Sequence, residues 1–396
     1  MTPSQPIARL QRIPHATEIG QSNEIPFEIF PQNEGKGLQI KIMPLKETAA
    51  SLTDNVVDFV WLVSKFLKIE NTPSWSGFME SATRGGEYEK SKIVFLPFIR
   101  SPPSNYSTLY SALIFAQKTA DAVGRQVCIV TFDLPLNLKA REIVESLPQE
   151  MAVRFFIRLG GFHQLVSFLS AIGYIMNGSG IKEFLMTIFV SNSIEKILFG
   201  HAFARSVRGH SLIHEVLGKI FISEMRLPEV ECEKMKKAMS SEEFVWPFQN
   251  QHVHHLWEQF ESHLKNIENH SPTSKLWCQY SQMVPLMKNF IAAERMGNWT
   301  LHLECVQQML PFFHATGNIH YAKAAHLYLQ DALQSQGKMS EIEFQEFVNY
   351  FALRRSSKYW SGIFSDMTIE QTLMRRMSSL GGLTRGRGVQ ESVVQK

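Results

Sequence analysis

Four side chains have the type and placing to do chemistry: Asp133, His163, Glu294 and Glu370. Asp133 closes an apolar run in TFDLPL. A carboxylate beyond the carboxyl end of a parallel strand can hold a divalent cation or take a proton. The same residue would serve as a helix N-cap, because Pro135 follows at once. His163 comes after Gly160–Gly161, beyond the next apolar run. Two glycines let the backbone turn tightly from strand to helix, which sets the imidazole in a first helical turn near Asp133. A packed turn histidine is the competing use. Glu294 follows Met287, Phe290 and Ile291 on the apolar stripe of its helix. Glu370 repeats the case with Met367, Leu373, Met374 and Met377. A carboxylate on such a stripe needs a base, a hydrogen bond or a metal, and pairing with Arg or Lys is the ordinary solution.

These residues need a scaffold, and the hydrophobic pattern supplies one. LQIKIM (38–43), KIVFLPFI (92–99), QVCIVTF (126–132) and AVRFFIRL (152–159) read as strands. Helices are expected over 47–68, 106–122 and 136–147, and from Phe162 to Met176. Gly124 closes the second of these. The alternation predicts an α/β region with a small parallel sheet of three or more strands and right-handed crossovers. The rest reads as mainly α, with helices near 180–189, 193–199, 201–222, 241–268, 274–296, 299–314, 319–335, 341–353 and 366–379. This gives a loose arm over 1–36, an α/β core over 37–176, a helical region over 177–380 and a flexible tail over 381–396.

Hydrophobic residues make up 44% of the 396 and charged residues 19%, enough for a sizeable core and too many apolar groups for a disordered chain. The formal charge of +3 makes no global case for nucleic acid. Any basic surface must be local. Arg354, Arg355, Lys358, Arg375, Arg376, Arg385 and Arg387, with Tyr359 and Trp360 among them, could contact a phosphate backbone and stack on bases. A solvated helix face and a glycine-rich tail explain them equally. Cys128, Cys232, Cys278 and Cys305 have no zinc or redox spacing, which suits a reduced, intracellular and soluble protein. His252, His254 and His255 lack the i, i+4 spacing of a helical zinc pair. The apolar stretch 162–176 is too short and mixed to span a bilayer.

The segments FDLPLNLKAREIV (132–144), IRLGGFHQLVSFLSAIGYIM (157–176), AERMGNWTLHLECVQQMLPFF (293–313) and SDMTIEQTLMRRMSSLGGLTRGRG (365–388) together resemble a group of uncharacterised, multi-copy animal proteins of apparent mobile-element (transposon) origin. The resemblance covers roughly residues 92 to 388. It implies a nuclease or transposase-type core, RNase H-like or related. There, two strand-end aspartates and a later helical glutamate hold two metal ions. Asp133 matches a strand-end aspartate, and Glu294 or Glu370 the glutamate. The metal pair would be Asp133 and Glu294, with Mg²⁺ or Mn²⁺ if the centre is active and no cofactor otherwise. Shared metals about 4 Å apart would need those two carboxylates within roughly 8 Å. The second aspartate is missing: KIVFLPFI ends in Arg100, and LQIKIM runs into Pro44, Leu45 and Lys46. A degenerate, inactive and truncated copy is therefore expected, since relatives should continue beyond GRGVQESV. Two rival expectations stand beside it. An active nuclease would need a further acid from Asp54, Asp58 or Asp121. A non-enzymatic helical interaction protein would pair Glu294 and Glu370 with cations and open an apolar groove between helices.

Overall fold

The computed structural model describes residues 25–31, 42–45, 52–82, 88–93, 99, 101–240 and 251–370. Near the start stand α1 (Leu52–Phe66) and α2 (Trp75–Ala82). The α/β part follows as α3 (Tyr106–Ala122), β1 (Cys128–Phe132), α4 (Leu134–Ser146), α5 (Gln149–Ala152), β2 (Phe155–Leu159) and α6 (Gly161–Ile175). Helices then dominate: α7 (Ile181–Met186), α8 (Ser191–Leu198), α9 (Phe203–Glu224), α10 (Glu229–Ser240), α11 (Gln251–Glu268), α12 (Pro272–Met296), α13 (Trp299–Ala315), α14 (Ile319–Lys338) and α15 (Glu341–Tyr350). A short hairpin, β3 (Leu353–Arg354) with β4 (Gly362–Ile363), leads into α16 (Ser365–Ile369).

Among the described residues the expected sheet of three or more strands is not formed, and the RNase H-like layout expected with it is not seen. Among the described residues, β1 and β2 form a two-stranded parallel ladder, and β3 and β4 a two-stranded antiparallel one. The reason lies in where the other apolar segments find hydrogen-bond partners. Met43 donates its N–H to Gln330 and accepts from His326, so the end of LQIKIM runs along α14. The N–H groups of Tyr88 and Ser91 bond Ser357 and Arg354, so the approach to KIVFLPFI follows the hairpin rather than β1. Residues 94–98 of that segment and 38–41 of the other lie outside the described residues.

β2 is buried along its whole length, and its side chains feed two cores. Phe155 and Ile157 pack with Leu109, Leu113, Ala140 and Ile143 of α3 and α4. Phe156 and Leu159 face the large core of the helical half, where Phe156 meets Trp299, Tyr328 and Phe347. β1 is half-covered, with Ile129 43% exposed.

The hairpin grips α12 tightly. A Cβ on Gly362 would lie 1.9 Å from the carbonyl oxygen of Glu294, an overlap only glycine avoids. Gly362→Ala should destabilise the fold by at least about 2 kcal/mol, within the range for overpacked interiors. Urea unfolding checks this, and an unchanged midpoint would refute the tight contact.

Candidate functional site

The carboxyl ends of β1 and β2 gather the first candidates. Asp133 ends β1 and caps α4, accepting the Leu136 N–H at 3.4 Å. The N-cap use anticipated from Pro135 is therefore realised. β2 ends at Leu159 and the chain turns at Gly160, the N-cap of α6, which has no side chain to offer the helix. Asp366 of α16 does that work from a distance. It accepts the N–H groups of Phe162 and His163 at 3.1 Å each, and lies 3.0 Å from His163 Nδ1. A Cβ on Gly160 would sit 2.5 Å from Asp366 Oδ2. Glycine thus lets the carboxylate approach the helix end.

His163 is faced by three acids from two segments, Asp133 after β1 and Asp366 and Glu370 of α16 and its C-cap. Its pKa is raised, first by the hydrogen bond to Asp366, then by the charges of Asp366, Glu370 and Asp133, against the opposing effect of burial. Glu370 lies 3.9 Å from Nε2 and is exposed. Burial pushes Asp366 up, but the hydrogen bonds from the His163 ring and from the backbone of His163 and Phe162 outweigh it and hold the carboxyl below its ordinary range. Tyr321 stands nearby, pushed up to about 12 by burial and by the charges of Asp133 and Asp366.

Glu294 is elsewhere in function, though close in space. It is 1% exposed beneath the start of α6, where a Cβ on Gly161 would come 3.3 Å from its Oε1. That oxygen accepts from Arg158 of β2 at 2.6 Å, and His302 Nδ1 lies 3.1 Å away. Arg158, 3% exposed, also donates to the Phe351 carbonyl and stacks on the Phe351 ring. Burial lowers His302 more than Glu294 raises it, so the ring stays neutral, and its Nε2 meets the Tyr328 hydroxyl at 3.0 Å. The helical glutamate has thus found a cation inside the protein.

A second buried ionic centre lies on the far side of α12. Lys288, fully buried, donates to Asp58 at 2.8 Å and lies 3.1 Å from His214 Nδ1. Its ammonium stacks 4.4 Å above the Trp61 ring. Of the other acids considered as a third ligand, Asp121 pairs with Arg154. The side chain of Asp54 lies outside the described residues. Among the described residues, no group of three or more His, Cys, Asp or Glu is placed to hold a metal. His252 meets Glu231 at 2.6 Å.

The basic cluster resolves differently from the expectation. Arg354 is 4% exposed, donates to the carbonyls of Tyr359 and Met296, and stacks on Tyr88. Trp360 is buried and bonds Ser76. Both build the hairpin and neither can reach a nucleic acid. Arg355 and Lys358 are exposed, with Lys358 3.5 Å from Glu80. Arg375, Arg376, Arg385 and Arg387 lie outside the described residues.

Three functional residues escaped the sequence. Arg158 stands inside the apolar run FFIRL, which hides it, although a cation in a fully buried strand signals a partner. Asp366 sits in SDMTIEQ without a pattern of its own. Lys288 follows Val284 by one turn on the apolar face of α12, the same signal as Glu294.

The molecule is thus a mostly helical protein built around one parallel strand pair, with an acid–imidazole cluster at its carboxyl end. The chain belongs to the family described as "Domain of unknown function (DUF8702)", whose model matches residues 74–396. No curated protein and no solved structure matches it. No helix among the described residues is long and apolar enough to cross a membrane.

The His163–Asp366 pair has a pH signature. A histidine raised above 6.5 adds stability that is complete below 6.5 and fades as pH climbs through the folded value. Asp366, held below 3.8, adds stability present above 3.8 and lost as pH falls through its folded value. Proton-detected titration should place native His163 above 6.5, and Asp366→Asn should bring it down. A native His163 titrating below 6.5 would contradict the pairing.

Proposed function

We propose that this chain is a mobile-element-derived protein whose nuclease-type centre is degenerate, with its acids turned to internal structural work. The observation that carries this reading is Glu294, sealed at 1% exposure against Arg158 instead of lining a cleft with Asp133. A two-metal centre needs carboxylates that reach both the ions and a solvent-borne phosphodiester. Here Glu294 is closed off, Asp366 is occupied by two backbone N–H groups and an imidazole, and Asp133 caps α4. The residues present do not fit a pair of Mg²⁺ or Mn²⁺ ions. Asp133, Asp366 and Glu370 also surround His163 with negative charge, which repels a bare phosphodiester.

One group keeps chemical potential. The His163 ring is anchored at Nδ1 by Asp366, and its Nε2 faces the exposed Glu370. An imidazole so held can take and return a proton, and the surrounding acids stabilise its charged form. The exposed Arg355 and Lys358 offer the cationic surface for nucleic acid, a weak and salt-sensitive contact.

A second reading, a helical interaction protein, is favoured by a specific observation. A cleft with aromatic walls opens between α1, α9, α11 and α12. That reading's premise of internally paired acids holds for Glu294, bound to Arg158, and not for Glu370, which is exposed 3.9 Å from His163 Nε2.

The test is nicking of supercoiled plasmid and cleavage of labelled single-stranded DNA in Mg²⁺ or Mn²⁺. The native protein and Asp133→Ala should both stay at the buffer background. Metal-dependent cleavage by the native protein, reduced by about a hundredfold or more in Asp133→Ala as for loss of a core catalytic group, would overturn the degenerate reading.

A further inference from the structure

The cleft beside Lys288 has a floor that is wired to leave one acceptor empty, and the wiring starts with a proline. Pro285 lies inside α12 and has no N–H, so the carbonyl of Ser281, one turn earlier, loses its helical donor. The His214 imidazole lies beside that backbone group. An ammonium can only donate, so His214 Nδ1 is the acceptor for Lys288 at 3.1 Å and the ring proton sits on Nε2. Burial first, and then the charge of Lys288, push His214 down to about 3, so the ring stays neutral. Lys288 spends its donors on His214, on Asp58 Oδ1 at 2.8 Å and toward the face of Trp61.

Nothing remains for Asp58 Oδ2. Asp58 is 3% exposed, and this oxygen has no hydrogen-bond partner; His214 Nδ1, 3.6 Å away, is beyond bonding distance. The Ser281 hydroxyl is likewise buried without a partner. Both residues line a cavity of about 290 Å³. On its wall Trp257 keeps a buried indole N–H with no partner. Phe59, Trp257 and Phe260 form an aromatic cluster there, with ring centroids 5.0 to 5.9 Å apart. Buried polar groups of this kind cost stability unless something pairs with them. The Asp58–Lys288 pair is neutral as a unit, so the floor asks for a neutral donor rather than a cation.

We propose that this cleft is a binding site for a small neutral aromatic molecule bearing a hydroxyl-type group, which donates to Asp58 Oδ2, accepts from the Ser281 hydroxyl and stacks among Phe59, Trp257 and Phe260. Concave sites of roughly 300 Å³ and upward with apolar walls and a few convergent polar groups are the usual form of small-molecule sites. The inference stands apart from the reading of the Asp133 end, since it uses neither His163 nor Glu294.

The probe is 4-methylphenol, with toluene as the same body lacking the hydroxyl. Binding is read from the Trp257 indole N–H signal in ¹⁵N-labelled full-length protein and from thermal unfolding. 4-Methylphenol should shift the Trp257 signal saturably and bind about tenfold more tightly than toluene, the difference one buried hydrogen bond makes. Ser281→Ala removes a hydroxyl with little risk to the fold. It should weaken 4-methylphenol several-fold and leave toluene within about twofold. Asp58→Asn, checked for folding by circular dichroism, should do the same. Equal affinity for the two probes, binding unchanged in Ser281→Ala, or an unmoved Trp257 signal at millimolar 4-methylphenol would each overturn the proposal.

Discussion

The molecule is organised by one buried ion pair, Arg158 with Glu294. Removing two charges from water costs several kcal/mol per ion, and their attraction offsets this only when geometry and supporting hydrogen bonds are good. The contacts that are made are short, while Glu294 Oε2 and Arg158 Nε stay buried without a hydrogen-bond partner and keep part of the desolvation cost. Arg158 reaches Glu294 at 2.6 Å and the Phe351 carbonyl at 2.6 Å, while the Phe351 ring covers its plane. His302 and Tyr328 extend the polar chain. One residue of β2 thereby ties together α12, α13, α14 and the approach to the hairpin. A strand pair this small has too little surface to stand alone, and the helical half completes it.

That constraint explains the strand-end cluster. With α12 fixed under α6, the hairpin lies against Glu294 and delivers α16 to the open start of α6. Asp366 then caps a helix whose own N-cap is glycine, and His163 is held by the same carboxylate. Acids that could have faced a cation are drawn into holding parts of the chain together. The same device recurs across α12, where Lys288 meets Asp58 and His214. The difference is that the second centre leaves an acceptor open to a cleft.

Much of the local architecture was legible. The expected helices 106–122 and 299–314 correspond to α3 and α13, and the strands at 126–132 and 152–159 to β1 and β2. Those readings rest on periodicity and on Gly and Pro signals, which act within a few residues. The sheet size was not legible, because an apolar run does not reveal whether its backbone bonds a strand or the side chains of a helix. Met43 bonding Gln330 and His326 shows the second outcome. Glu294 is legible from its helical stripe as a buried acid needing a partner. Its partner, Arg158, lies 136 residues away, and Asp366 lies 203 from His163. Pairings at that range depend on the packed fold and leave no spacing to read.

A double-mutant cycle on Arg158 and Glu294 tests the central claim most directly, using Arg158→Met, Glu294→Leu and the pair, with unfolding free energy as the readout. Each single change should cost about 3–5 kcal/mol, because it strands the opposite charge in the core. The double variant should recover a large part of that loss, a coupling of about 2 kcal/mol or more. Additive losses, or a Glu294→Leu protein as stable as the native one, would show that the pair does not hold the fold.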